Sequence, residues 1–413
     1  MNRTHSGRRR ATSSLPISIA LALAPIANNA IALGSDTVFV SGYAGVTYDS
    51  NVFRLSSDQS PQDVGLHTSG KGDTIYNIGA GISADVPYSR QRFQANLIVN
   101  DYKYIKFDNL DYIGGSGRAA WLWQVGDDWN GDVVYSFSRA LQSYNYFVST
   151  ERNIVDRQLI AFDPRYRIAP NWELQAGVNY STVSNDLEAA SFNDYNQFGW
   201  NLGTRYITPS GNSVGLRLES GNARFPNIFF VNGSTVDNAY RDTRLATFFD
   251  WTFSGASKID GSIGYKERQH ENLPQRDFSG WTGSAGWTWT PTAKAVVRII
   301  VARDVGGVED IAVTYARTYT FTVRPTYQLT SKIGLNGQAQ YQDLSFFGNT
   351  GFGVSSVTAD RHDKIATLGA GLAYQATRAL LFGLNYYWSS RTSNMQFGDF
   401  KDNVISLTGQ VTF

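Results

Sequence analysis

WTGSAGWTWT, Trp281 to Thr290, decides the fold class. Trp281, Gly283, Ala285, Trp287 and Trp289 share one parity, and Thr282, Ser284, Gly286, Thr288 and Thr290 share the other, which holds no aliphatic residue. A period of two with one apolar and one polar side is that of a strand between two different media. WELQAGVNY (172–180) repeats it, with Trp172, Leu174, Ala176, Val178 and Tyr180 against Glu173, Gln175, Gly177 and Asn179. IGLNGQAQY, LFGLNYYW and FGWNLGTRY show the same pattern, and so does the end of the chain, ISLTGQVTF, where Ile405, Leu407, Val411 and Phe413 oppose Ser406, Thr408, Gln410 and Thr412.

Eighteen such segments are predicted, from 38–49 at the start to 402–413 at the end. Their spacing of about 21 residues suits membrane strands of ten or more residues with their connections. Short turns at PYSR, GDDW, APNW, TPSG, SGAS, TPTA, LTSK and QATR alternate with longer polar links such as 50–73, 142–155, 223–239 and 344–362. Sorting by length onto two ends is expected of an outer-membrane barrel with tight periplasmic turns and long extracellular loops. A soluble sandwich has no reason for it. Aromatics beside the short turns (Trp123, Trp129, Trp172, Tyr206, Trp251, Trp287, Trp289, Tyr327, Tyr374 and Phe413) sit on the apolar parity, as an interfacial girdle requires. The expected fold is all-β: a closed antiparallel transmembrane barrel of about 18 strands, 16 as the alternative, with a polar lumen. No later stretch is long and apolar enough for a membrane helix.

The start of the chain sets the compartment. Arg3 and Arg8 to Arg10 precede the apolar run LPISIALALAPIA, and Ala30-Ile31-Ala32 fits a small-x-small cleavage site. Residues 1–32 are therefore expected to be a secretory signal peptide, and 33–413 a single barrel in the outer membrane of a Gram-negative bacterium. The leader's four arginines come off 36 basic residues against 35 acidic ones, so the mature chain is slightly acidic and has no basic face for nucleic acid. With no cysteine and His67, His270 and His362 the only histidines beyond the leader, thiol chemistry is excluded and catalysis has little footing. No catalytic residue, cofactor or metal site is expected; YDSN (48–51) lacks the rest of a calcium loop.

Strand parity turns Arg118, Glu173, Arg205, Arg217, Glu219, Arg244, Asp250, Lys258, Asp260, Arg298 and Arg324 toward the lumen, with Asp85, Asp132 and Lys266. Such mixed charge suits a large, hydrated, weakly charged solute, or else merely pairs across strands to solubilise the interior. RFPNIFFVNG (224–233) is too apolar for an ordinary loop, so Phe225, Ile228, Phe229 and Phe230 are expected to form a constriction or to contact a partner. KERQHENLPQRD (266–277) is placed among lipopolysaccharide headgroups or in water.

The first strand and its continuation, VSGYAGVTYDSNVFRLSSD (40–58), resemble the opening of EpsL-type outer-membrane proteins of exopolysaccharide operons, within the group described as putative β-barrel porin 2; NDYKYIKFDNLDY (100–112) and the terminal VTF are similar in style. The resemblance implies a part in exopolysaccharide biosynthesis or export, with polysaccharide and periplasmic or inner-membrane export components as partners. It brings no site residues with it. A general or sugar-uptake porin, and a structural or adhesive barrel with a plugged lumen, are the alternatives. A final aromatic is also similar to the signature read by the barrel-assembly machinery, which makes Phe413 the expected assembly signal.

Overall fold

The computed structural model describes residues 37–413 except 146–148, 228, 232–233, 308–314 and 348–360; of 229–231, 234–236 and 307 only the backbone is described. The expected leader, 1–32, lies outside the described residues.

The first nine strands are β1 (Val38–Asp49), β2 (Asp73–Tyr88), β3 (Gln91–Tyr104), β4 (Tyr112–Val125), β5 (Trp129–Leu141), β6 (Ile154–Ala169), β7 (Trp172–Asn185), β8 (Tyr195–Ile207) and β9 (Ser213–Arg224). A small hairpin, β10 (Phe229–Val231) and β11 (Ser234–Val236), comes next in a loop. The wall resumes with β12 (Tyr240–Ser254), β13 (Ser257–His270), β14 (Phe278–Thr292), β15 (Ala295–Gly307), β16 (Tyr315–Gln328), β17 (Ile333–Phe347), β18 (His362–Gln375), β19 (Leu380–Ser393) and β20 (Phe400–Thr412). Each wall strand pairs antiparallel with its neighbours in the chain, and β9 pairs with β12, giving one 18-stranded sheet.

ISLTGQVTF closes that sheet. β20 lies against β1 in a register running from Ser41↔Thr412 to Asp49↔Val404, and Phe413 N–H donates to Val40 O at 2.8 Å. Neither edge is left bare, which in hydrocarbon is obligatory because nothing there can pair with a free backbone group. Count and closure agree with the sequence reading at 18 strands rather than 16.

The outer face is the apolar parity. Val178, Leu202, Leu218, Leu245, Ile263, Phe321, Leu368, Leu384 and Leu407 are all exposed, as in no soluble protein core. All ten tryptophans lie on this face by strand parity. Several near the short turns pack against other rings, Trp129 tilted on Tyr166 at 4.6 Å, Trp172 edge-on to Tyr206 at 5.2 Å and Trp287 stacked on Trp289 at 5.9 Å, forming the aromatic belt of one interface. Gly126 (φ 60°) and Gly211 (φ 83°) supply left-handed residues at two of these turns.

At the other end the strands outrun the alternating segments read from sequence. β13 continues to His270 because Lys266 and Arg268 find a counter-charge across the sheet, where Asp242 accepts from Arg268 at 2.6 and 2.7 Å and from Lys266 at 3.2 Å. KERQHENLPQRD is thus half strand, with Lys266, Arg268 and His270 facing inward rather than to headgroups.

Candidate channel lumen

The sequence-proposed charged residues lie on the parity opposite the exposed apolar residues of their strands, except that Val296, close to its turn, shares the parity of Arg298. Most are joined in a network that runs around the wall. Glu173 accepts from Arg205 at 2.8 Å and from Gln175 at 2.9 Å; Gln175 in turn accepts from Arg217 at 3.0 Å. Arg244 bridges Glu219 (3.2 Å), Ser262 (3.0 Å) and Thr282 (2.9 Å), tying β9 through β14. Asp250 pairs with Lys258 at 2.7 Å, and Asp260 takes Arg298 in a two-toothed bond at 2.7 and 2.8 Å. Arg118 and Arg324, by contrast, have no side-chain partner among the described residues.

Parity reading passed over several residues of the same wall: Arg157, Asp163, Arg165 and Arg167 on β6, and Asp242 and Arg268. Arg165 pairs with Asp132. Arg268 sits 3.5 Å from the Tyr240 ring centre and 5.2 Å from that of Phe278, a cation held between two aromatic faces.

The rest of the lumen is different in kind. Between the ends of β17, β18, β19, β20, β1, β2 and β3, the inward positions hold Asn336, Gln338, Gln340, Thr367, Asn385, Tyr387, Ser406, Thr408, Gln410, Tyr43, Thr47, Asn77, Asn96 and Asn100, and no charge. Away from the strand ends one arc is amide and hydroxyl, with Asp85 and Arg92 paired at its periplasmic end and Asp49 and Asp402 at its mouth; the other, β4 to β16, carries guanidiniums and carboxylates along its length.

The extracellular mouth holds a packed cap that sequence reading did not foresee. YDSNVFRL does not continue as an open loop. Asn51 Nδ2 donates to Leu55 O (2.8 Å) while Leu55 N donates back to Asn51 Oδ1 (2.9 Å), and this clamp turns Arg54 into the left-handed region at φ 56°. Arg54, 9% exposed, thereby inserts between two inward carboxylates, Asp49 at 3.0 Å and Asp402 at 3.1 Å, and donates to Asn145 Oδ1 at 3.1 Å. Burial alone would lower its pKa; the two aspartates more than reverse this and raise it from the ordinary value. Next to it Phe53, Leu55, Phe107, Leu110 and Tyr144 form a buried cluster, with Phe53 edge-on to Phe107 (4.9 Å) and Tyr144 (5.0 Å). Arg391 of β19 donates to Asn145 O, so the β5–β6 loop reaches over β4, β3, β2, β1 and β20. The Asp and Asn of YDSN, considered as cation ligands, are spent on Arg54 and on backbone groups, and the described residues contain no metal-ligating cluster.

The apolar stretch 224–233 is partly described. Phe225 packs against two inward rings, Tyr195 at 5.8 Å and Tyr240 at 6.0 Å. Ile228 lies outside the described residues, and Phe229 and Phe230 are known only as backbone paired with Val236 and Thr235.

Known proteins share parts of this architecture. A family model described as "Putative beta-barrel porin 2" matches residues 251–413, the end of β12 through β20. No curated protein matches. Among solved structures, the chain is similar to OccK9 (OpdG) of Pseudomonas aeruginosa, at 12% identity over 92% of this chain and 99% of that one, with a TM-score of 0.49. It is similar to P. aeruginosa OccK2 (OpdF), solved in complex with glucuronate, at 10% identity over 91% and 98%, TM-score 0.48, and to a BenF-like porin from Pseudomonas fluorescens at 10% over 92% and 99%, TM-score 0.48. The chain is an outer-membrane β-barrel. Its own closed sheet, apolar exterior and polar interior fix that architecture.

Proposed function

We propose that the barrel is a non-enzymatic channel that passes polysaccharide across the outer membrane in exopolysaccharide biosynthesis and export. The observation that carries this reading is the uncharged arc of amides and hydroxyls along one side of an 18-stranded lumen. Sugar hydroxyls donate and accept, as amides and hydroxyls do, so a polymer can exchange one weak bond for the next along such a surface. Conduction needs binding of that kind, tight enough to admit and loose enough to release. The motif YDSNVFRL, through its resemblance, supports the same assignment, with periplasmic or inner-membrane export components as partners, lipopolysaccharide around the rim and the assembly machinery reading Phe413.

Deleting the gene and measuring secreted polymer tests the reading. Loss of secretion, restored by the gene in trans, is expected; normal secretion in the deletion strain overturns it. A second reading, a structural barrel with a blocked lumen, is favoured by the buried cap around Phe53 and Arg54. Single-channel conductance of the purified barrel separates the two.

A further inference from the structure

From mid-height to the periplasmic end, the lumen carboxylates are almost all spoken for. Asp85 is held by Arg92, Asp132 by Arg165, Glu173 by Arg205, Glu219 by Arg244, Asp250 by Lys258 and Asp260 by Arg298. The remaining one, Asp163, bonds Asn201. Three guanidiniums are left over. Arg118, Arg167 and Arg324 are exposed on inward positions, and no side-chain partner of theirs occurs among the described residues. Arg167 stands opposite Glu173 in register, but that carboxylate is turned to Arg205. Arg324 stands opposite Arg298, whose charge is already taken by Asp260.

Their placement in the closed sheet makes them one device. Arg324 on β16 is separated from Arg167 on β6 by seven strands on one side (β7 to β9 and β12 to β15) and nine on the other, so the two face each other across the lumen near its periplasmic end. Arg118 on β4 lies at mid-height, one step further in. An unpaired, hydrated arginine in a water-filled pore keeps its positive potential available to an incoming anion, and a planar fork with five donors fits carboxylate and sulfate. The packed cap lies over the mouth ends of β19, β20 and β1 and of the strands beside them as far as β4, on the side of the amide arc.

We propose that the solute is an anionic glycan, a polymer bearing carboxylate or sulfate groups, drawn in by Arg167 and Arg324 and handed to Arg118 while its hydroxyls bond the amide arc. This names the substrate class of the export reading above and rests on it. It departs from the weakly charged solute expected from sequence, because pairing has removed the acids from play and left the bases.

The test uses the full refolded barrel and a variant carrying Arg118→Gln, Arg167→Gln and Arg324→Gln. In planar bilayers under a KCl gradient, the wild type should prefer chloride and the variant should lose most of that preference; equal reversal potentials overturn the proposal. In parallel, binding of oligoglucuronate, dextran sulfate and neutral dextran is measured in detergent, which needs no open pore. At least one anionic probe should bind wild type about tenfold more tightly than the variant, three exposed charge contacts being lost, with dextran indifferent to the substitutions. Preference for oligoglucuronate assigns carboxylate, and preference for dextran sulfate assigns sulfate. Equal binding of all three, or anion binding unchanged in the variant, overturns it. Normal polymer secretion by the deletion strain would sink export while leaving these results to stand or fall alone.

Discussion

Replacing Arg54 by methionine should open the cap. The side chains are similar in length, so packing against Phe53 is largely kept while the charge goes. What remains is Asp49 beside Asp402, the latter 2% exposed, with no cation between them. Breaking a buried pair by removing one partner typically costs about 3–5 kcal/mol. Protonation of one carboxylate and release of the left-handed backbone at position 54, worth roughly 1 kcal/mol, return part of this. A net loss of about 2–4 kcal/mol in local stability remains, a rise of about 30- to 1,000-fold in the open population of the loop. Hydrogen exchange of the amides of 50–55 in the folded barrel reads this population directly. The triple variant Asp49→Asn, Arg54→Met, Asp402→Asn removes charge from all three and should regain most of the protection, since uncharged replacements of buried ion pairs are often neutral. Protection unchanged in Arg54→Met would refute the reasoning, because the loop would then be held by the Phe53 cluster alone.

Other expectations concern the outer face, the terminus and the charged arc. With all ten tryptophans turned to lipid, phospholipids brominated on their chains should quench most of the fluorescence of the reconstituted barrel and aqueous acrylamide little; strong acrylamide quenching would reverse the assigned parity. Asp260→Asn should release Arg298 beside Arg324 and sharpen anion preference, and a double-mutant cycle on Asp260 and Arg298 should give a coupling of about 1 kcal/mol; additive behaviour would show the pair to be idle. Removing Phe413, which is 75% exposed and makes backbone bonds only to Val40, costs about 1–2 kcal/mol of pairing, too little to undo the sheet. The truncated chain should therefore reach the outer membrane in lower amount yet melt near the wild-type temperature once there, and unchanged outer-membrane levels would remove the assembly role.

What the sequence made legible was governed by a single alternation. Wherever one face meets lipid and the other water, a slip of one residue would turn Trp287 inward and Thr288 out, so the register of β14 is written in its composition. The same rule extends to the charged residues, which is why parity alone suffices to put Glu173 and Arg205 on one side. It fails where lipid no longer dictates the outer face. Above the membrane β13 keeps its pairing through Lys266, Arg268 and Asp242, and the gain there is electrostatic, which no hydropathy period records. The cap is less legible still. YDSNVFRL reads as a polar strand end, because its fold depends on one side-chain clamp at Asn51 and on Asn145, distant in the chain, meeting Arg54.

The division of the lumen separates the two readings offered for its charge, by sign and by pairing. Taken by sign alone, the inward residues are mixed and suggest indifference to charge. Paired by geometry, Arg298 with Asp260 and Arg205 with Glu173 cancel and act as struts between strands. A carboxylate bonded at 2.7 Å to a guanidinium has little left to offer a passing solute, whereas Arg118, Arg167 and Arg324 keep their full hydrated charge. Selectivity in such a pore belongs to the residues that the protein has not used for itself. The cap sharpens this by pairing Arg54 with Asp402 and Asp49 at the mouth, which withdraws all three from the same lumen. On the proposed reading, the solute is chosen by three arginines and an amide arc rather than by the sum of inward charges.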